Sequence, residues 1–287
     1  MSAEKRSTNI NLFYNDFDMK SPDIQNEWND IRIRSYKKES WYSYACGIFP
    51  TIELLEAKPS FLFRVILSEE SAANKGAAQI RGACAARGIP VITDDKTLQR
   101  ISPKENCYAA GVFRKYEERL NPLCNHIVLV HPADKGNLGT MIRTMAAFRL
   151  TDLAVILPAA DYFDPKVIRA SMGALFRIRI RLYHSFEDYC RDMDISDKNR
   201  LIFPFMLKGA VLESPEQAEP IRSALLAEPP LPYSLVFGNE SSGLDDGFLS
   251  VGQPVRIMHS DQVDSLNLTI AAGIGMHWFY HKGGLQG

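Results

Sequence analysis

Short runs of near-continuous apolar residues, separated by stretches with helical apolar spacing, constrain this chain more than any other feature. In its second half HIVLVH (126–131), LAVIL (153–157), FRIRIRLY (176–183), LIFPFML (201–207), YSLVFG (233–238) and PVRI (254–257) read as strands. Strands apolar on both faces belong to a parallel sheet covered by helices, and most of the intervening segments fit such helices. The expected fold class is α/β with a mostly parallel sheet. Such sheets bind ligands beyond the carboxyl ends of their strands, so the chemistry is expected in the loops that follow them.

Residues 40–113 repeat the alternation on a smaller scale. Ile52 to Glu56 reads as a short helix stopped before Pro59, 61–67 as a strand, 71–88 as a helix closed by Gly88, and 89–93 as a second strand. KTLQRIS reads as a short helix and 107–113 as a third strand, together a small, parallel-rich α/β unit. RKYEERLNPLC (114–124) is charged, contains Pro122 and lacks periodicity, which places a boundary there. Before residue 40 the chain is polar, with a helix expected from Asp23 through Ile24, Trp28 and Ile31, and a basic cluster of Arg32, Arg34, Lys37 and Lys38. The expected division is an arm and helix (1–40), a small domain (41–120) and a larger one (121–287).

A formal net charge of −1 excludes coating of nucleic acid by bulk positive charge, though not a local basic site. No stretch has the length of a membrane span, and the first residues lack the apolar core of a secretory signal. The five cysteines form no Cys-x-x-Cys pair, which fits reduced thiols in a cytoplasmic protein. The six histidines show no metal spacing, and no metal is expected.

Three loops hold the unusual residues. In HPADKGNLGTMIRTMAAF, Asn137 stands outside the apolar stripe of Leu138, Met141, Ile142, Met145 and Phe148, in the position of an N-cap. Arg143 also lies off that stripe, and a cation in the first turns of a helix opposes its dipole, so an anionic or hydroxylic ligand would explain it. In YSLVFGNESSGL, Gly238 allows a ligand to approach the backbone, Glu240 supplies a carboxylate and Gly243 permits a sharp turn. After PVRI comes MHSDQVDSLNLTIAAGIGMHWFY, where Ser265 is placed to cap a helix from Leu266 to about Tyr280. That helix is apolar nearly all round and is expected to be buried, with Gly273 and Gly275 packing against another backbone. There is no dinucleotide fingerprint, phosphate loop, HExxH or GxSxG motif.

NLGTMIRT, LVFGNESSGL and VDSLNLTIAA, in this order, resemble the three signature motifs of the SpoU, or TrmH-like, branch of the SPOUT RNA methyltransferases, and RASMGALFRI (169–178) is similar to the segment between the first two. The resemblance covers roughly 121–281. Residues 40–113 resemble, more weakly, that family's ribosomal-protein-like, substrate-binding domain. The resemblance implies a deep trefoil knot, an exception to the rule that chains avoid knots. It also implies a homodimer, S-adenosylmethionine as cofactor, and methyl transfer to a ribose 2′-hydroxyl of tRNA or rRNA. It assigns cofactor contacts to Gly238, Ile257 and Leu266, with Phe237 and Met258 nearby. The polar active-site positions fall on Asn137, Arg143, Glu240, Ser265 and Asn267. Arg143 cannot serve as a base because its guanidinium stays protonated, so the expected role is binding of a phosphate or the developing alkoxide.

Where relatives read IPMSGQVDSLN, this chain has IMHSDQVDSLN, with Met258, His259 and Asp261 in place of proline, methionine and glycine. That loop is the best support for the alternative of a non-catalytic RNA-binding homologue; a SPOUT enzyme methylating a base is the other alternative. In 176–183, Arg177, Arg179 and Arg181 alternate with apolar residues, so a strand there places three guanidiniums on one face, either as a solvated surface or as a clamp on RNA phosphates.

Overall fold

The computed structural model describes residues 33–102, 106–196 and 199–282. The chain divides into a unit of Met1–Arg34, nearly all of it outside the described residues, and a compact unit of Ser35–Gly287. The helix expected around Asp23, Ile24, Trp28 and Ile31 lies outside the described residues.

The first part of the large unit runs β1 (Tyr42–Cys46), α1 (Ile48–Ala57), β2 (Leu62–Leu67), α2 (Lys75–Arg87), β3 (Val91–Thr93), α3 (Asp95–Ile101) and β4 (Ala109–Arg114). Local chemistry sets the limits of α2. Asn74 Oδ1 accepts from the amides of Gly76 and Ala77 at 2.8 and 3.2 Å, and Gly88 ends the helix at φ 67°. The strand order is β1-β4-β2-β3, and only β2 and β3 are parallel; β4 is antiparallel to both of its neighbours. The expectation of a parallel-rich sheet is therefore corrected. An apolar run identifies a strand and says nothing of its direction, and β1 was not legible as a strand at all.

The second part continues through β5 (His126–Val130), α4 (Lys135–Ala147), β6 (Asp152–Ile156), α5 (Pro165–Ala170), β7 (Arg179–Tyr183), α6 (Phe186–Asp192), β8 (Leu201–Val211), α7 (Pro215–Leu225), β9 (Tyr233–Phe237), β10 (Val255–Arg256) and α8 (Leu268–Lys282). All pairings in this six-stranded sheet, β10-β8-β9-β5-β6-β7, are parallel. Every residue of β5, β6 and β9 is buried, as both-face coverage demands. One continuous core joins the two sheets, with Phe113 of β4 packed against Phe163 and Phe176 at 5.7 and 5.2 Å between ring centres. Gly173, at φ 84°, lies where a Cβ would meet Pro50 and Glu53 of α1 at 2.8 Å, which explains the glycine of RASMGALFRI as a docking residue.

The amino ends of the parallel strands are tied by a buried polar network. Asp152 accepts from Arg179 Nε and Nη2 at 2.8 and 2.5 Å and from the Asn121 amide at 2.8 Å. Arg200 donates to the carbonyls of Tyr233, Pro122 and Cys124 at 3.0, 2.6 and 2.9 Å. His126 Nε2 faces the Asn121 carbonyl at 2.8 Å and must carry the proton there, leaving Nδ1 to accept from the Tyr189 hydroxyl at 2.9 Å. Burial, reinforced by the Arg200 charge, pushes the His126 pKa down to about 4, so the ring is neutral at pH 7.

The structure corrects the reading of 176–183 as a single strand and gives its arginines partners. Phe176 and Arg177 belong to a 3₁₀ turn rather than to β7. Each arginine of the proposed clamp already has a carboxylate partner: Arg177 pairs with Glu53 and with Glu56, Arg179 with Asp152, and Arg181 with Asp192 at 3.2 Å. Glu53, Glu56 and Asp152 come from elements far from these arginines in sequence, and Asp192 from the helix that follows β7.

Helix α8 also departs from expectation. Ala272, Met276 and Phe279 are fully buried, whereas Ile270 and Ile274 are 56% and 39% exposed. Its glycines do not meet another backbone. A Cβ on Gly275 would lie 2.5 Å from the Phe205 ring, and one on Gly273 only 4.0 Å from Thr144 Cγ2.

Candidate active site

The loops after β5, β9 and β10 all lie at the carboxyl ends of their strands. Asp134, not Asn137, caps α4; its Oδ1 accepts from the Asn137 amide at 2.7 Å. Asn137 therefore stands within the first turn, and its side chain is free to reach Glu240, with Nδ2 to Oε1 at 3.4 Å. Glu240 also accepts from the amides of Ala133 and Asp134, both at 3.2 Å. The carboxylate thus sits against the amino end of α4, where backbone N–H groups and the helix dipole favour negative charge.

Asn239, which the sequence reading passed over, organises the same loop. Its Nδ2 donates to the His131 carbonyl at 2.7 Å and its Oδ1 accepts from the Ser241 amide at 2.8 Å. Its backbone bridges Gly243, whose φ of 67° makes the turn. This fold-back leaves Gly238 no room for a side chain: a Cβ there would lie 2.1 Å from the Gly243 carbonyl carbon. The glycine admits the loop's own backbone rather than a ligand, which corrects the reason first given for it.

A cavity of about 410 Å³ opens between β8 and the loops after β9 and β10. Phe237, Gly238, Ile257 and Leu266, all assigned to the cofactor by resemblance, line it together with Glu240 and Ser265. Phe205 of β8 forms part of the wall, stacked on Phe237 with ring centres 4.3 Å apart, and Gly275 leaves the space this ring needs. Met258 does not line the cavity; it is 57% exposed, and its amide donates to Glu213 Oε2 at 3.1 Å. Asn267 also lies outside the lining. It, rather than Ser265, caps α8, its Oδ1 accepting from the Thr269 amide at 2.9 Å and from the Thr269 hydroxyl at 2.6 Å.

Arg143 is the ninth residue of the thirteen in α4, too far along for the dipole argument, which applies within the first turn. It is exposed, lies outside the cavity lining and has no hydrogen-bond or ion-pair partner among the described residues. Asn137 and Glu240 are thus brought together, the cavity gathers Phe237, Gly238, Ile257, Ser265 and Leu266, and Arg143, Met258 and Asn267 stand apart.

A parallel α/β sheet with a loop-walled cavity at its carboxyl edge defines a small-molecule-binding α/β domain of the kind that enzymes use. Residues 125–277 match the sequence profile of the SpoU rRNA Methylase family, and the chain belongs to that family. It is 26% identical over 184 residues to the 23S rRNA (guanosine(2553)-2′-O)-methyltransferase RlmP of Bacillus subtilis, covering 64% of this chain and 65% of that one. Against the ribosomal RNA small subunit methyltransferase G 2 of Syntrophobacter fumaroxidans it is 28% identical over 156 residues, spanning 54% of this chain and 27% of that relative.

Solved structures share the fold. The AdoMet-bound rRNA methyltransferase from Sinorhizobium meliloti superposes with a TM-score of 0.67 at 24% identity, covering 87% of this chain and 90% of that one. The SpoU methyltransferase AviRb from Streptomyces viridochromogenes, in complex with AdoMet, gives 0.68 at 18% identity, covering 90% and 98%.

Proposed function

We propose that this chain is an S-adenosylmethionine-dependent RNA methyltransferase acting on a ribose 2′-hydroxyl of tRNA or rRNA. The observation that carries the reading is the cavity walled by the motif loops after β9 and β10, with the loop after β5 joined to it through the Glu240 carboxylate. Its size lies within the ordinary range of about 300–1,000 Å³ for small-molecule sites. Its wall is apolar and aromatic at Phe205, Phe237, Ile257 and Leu266, and charged or polar at Glu240 and Ser265, a donor set suited to a nucleoside carrying a charged tail. Relatives named for 2′-O-methyl transfer favour ribose over base.

When bound, the cofactor supplies an electrophilic methyl group on a sulfonium. The chain's own part is chiefly to position the hydroxyl in line with that group. Glu240 holds the 131–134 loop against the cavity, and Asn137 and Ser265 offer polar groups toward the acceptor. Asn267 fixes the start of α8, and with it the Ser265–Leu266 backbone. Arg143, cationic and without a partner in its own chain, binds the nucleotide phosphate or the developing alkoxide.

The knot that the family implies is supported by the path after β10: that strand lies at one edge of the sheet, α8 packs on β9 and on α4, and the segment between them lines the cavity at His259, Asp264, Ser265 and Leu266. The exposed Ile270 and Ile274 of α8 support the homodimer, and residues 41–120 are assigned to selection of the RNA. No described helix is long and apolar enough to cross a membrane.

The test is Arg143→Ala. Loss of one transition-state donor lowers methyl transfer by about 100-fold or more while leaving cofactor affinity unchanged. Normal transfer by the variant would remove Arg143 from the site.

A further inference from the structure

The cavity holds an ion pair that the fold does not need. Lys208 Nζ of β8 lies 2.8 and 2.9 Å from the two carboxylate oxygens of Asp246, and both residues line the cavity. Their side chains are 64% and 73% exposed, so their mutual attraction is screened and contributes little to stability. Neither side chain has another hydrogen-bond or ion-pair partner among the described residues.

The backbone beneath them is nevertheless fixed. β8 pairs with β9 at 201–204 and with β10 at 210–211, and Lys208 stands in the gap between the two ladders. Gly209 lets the β10 backbone come so close that a Cβ would lie 2.5 Å from Val255, which holds this stretch in place. Asp246 begins the 3₁₀ turn that follows the 238–244 loop, Asp245 capping that turn through the Gly247 amide at 2.8 Å. Two opposite charges are thus presented side by side on anchored backbone at the cavity.

Of the other ionisable groups lining the cavity, three have partners of their own and Asp264 has none among the described residues, so Lys208 and Asp246 are the one ion pair there. Glu240 is engaged with the Ala133 and Asp134 amides, Arg256 Nη1 donates to the Leu207 carbonyl at 3.3 Å, and His259 Nδ1 is 2.9 Å from the Ser260 carbonyl. A ligand with an apolar aromatic end and a zwitterionic end matches a cavity lined both by the Phe205–Phe237 pair and by an ammonium–carboxylate pair.

We infer that Lys208 and Asp246 receive the amino-acid end of the cofactor, Lys208 binding its α-carboxylate and Asp246 its α-ammonium. The exposed ion pair is exchanged for two charge-assisted contacts of the same kind, so each group is paired in both states. The inference rests on the cofactor reading above. Its consequence is selectivity: the site distinguishes S-adenosylmethionine from 5′-methylthioadenosine, which keeps the nucleoside and lacks the zwitterion.

Isothermal titration of the full chain with both compounds tests this. The wild-type protein is expected to bind S-adenosylmethionine at least about 10-fold more tightly than 5′-methylthioadenosine. Lys208→Met and Asp246→Asn, each checked for an unchanged melting temperature, are each expected to lower S-adenosylmethionine affinity about 10-fold and leave 5′-methylthioadenosine affinity in place. If both variants keep the wild-type ratio of the two affinities, the inference is overturned while the cofactor reading stands. If the wild-type protein binds neither compound at millimolar concentration, the cofactor reading fails and takes the inference with it.

Discussion

Gly238 shows what a single residue can and cannot disclose. That a glycine stood at the end of β9 was plain from the sequence; that the atom it makes room for is the Gly243 carbonyl carbon, 2.1 Å from where a Cβ would be, was not, because the turn that brings it there is a property of the folded loop. Gly238→Ala must open that loop. It is expected to lower stability by at least about 2 kcal/mol and to abolish cofactor binding, as measured by urea denaturation and calorimetry. The arginines separate in the same way. Arg179→Ala leaves the fully buried Asp152 without its ion-pair partner and is expected to cost about 3 kcal/mol in a denaturation experiment. Arg177→Ala removes only an exposed pair with Glu53 and Glu56 and is expected to cost less than about 1 kcal/mol.

Strands and helices of the larger sheet were legible because burial on both faces writes continuous apolar runs into the sequence. Their parallel order followed from the helices between them. The smaller sheet shows the limit: β4 runs antiparallel to β1 and β2, and no residue pattern distinguishes that from the parallel arrangement expected. The polar tie at the amino ends of the strands was also out of reach, since Asp152, Arg179, His126 and Arg200 come from four separate segments. It gives the fold a pH dependence of definite sign. His126 has its pKa pushed down to about 4 by burial and by the Arg200 charge, against about 6.5 in the unfolded chain. Between those values the unfolded state binds the extra proton, so stability falls as pH drops from about 6.5 toward about 4. Burial alone would raise the Asp152 carboxyl, but the Arg179 and backbone hydrogen bonds outweigh it and hold its pKa below the usual value, adding a loss of the same sign at lower pH. Urea titrations at pH 7 and pH 5 check this, and a midpoint that does not fall at pH 5 would remove His126 as its source.

At the scale of the whole molecule, α8 was misread because a sequence does not separate an apolar face that the chain's own core covers from one that it leaves exposed. Ile270 and Ile274 stay exposed in the single chain. Ile270→Glu is expected to convert a dimer to a monomer in sedimentation equilibrium, and a wild-type protein that is already monomeric would contradict the proposed assembly. A net charge of −1 gives no bulk attraction to RNA, so the proposed contact with RNA rests on local cations, Arg143 being the one proposed. The central claim is methyl transfer to a ribose hydroxyl, and nucleoside mass spectrometry of tRNA and rRNA incubated with the purified protein and isotope-labelled S-adenosylmethionine tests it most directly. The label is expected in a 2′-O-methylnucleoside, and its appearance on a base, or in no nucleoside at all, would contradict the account.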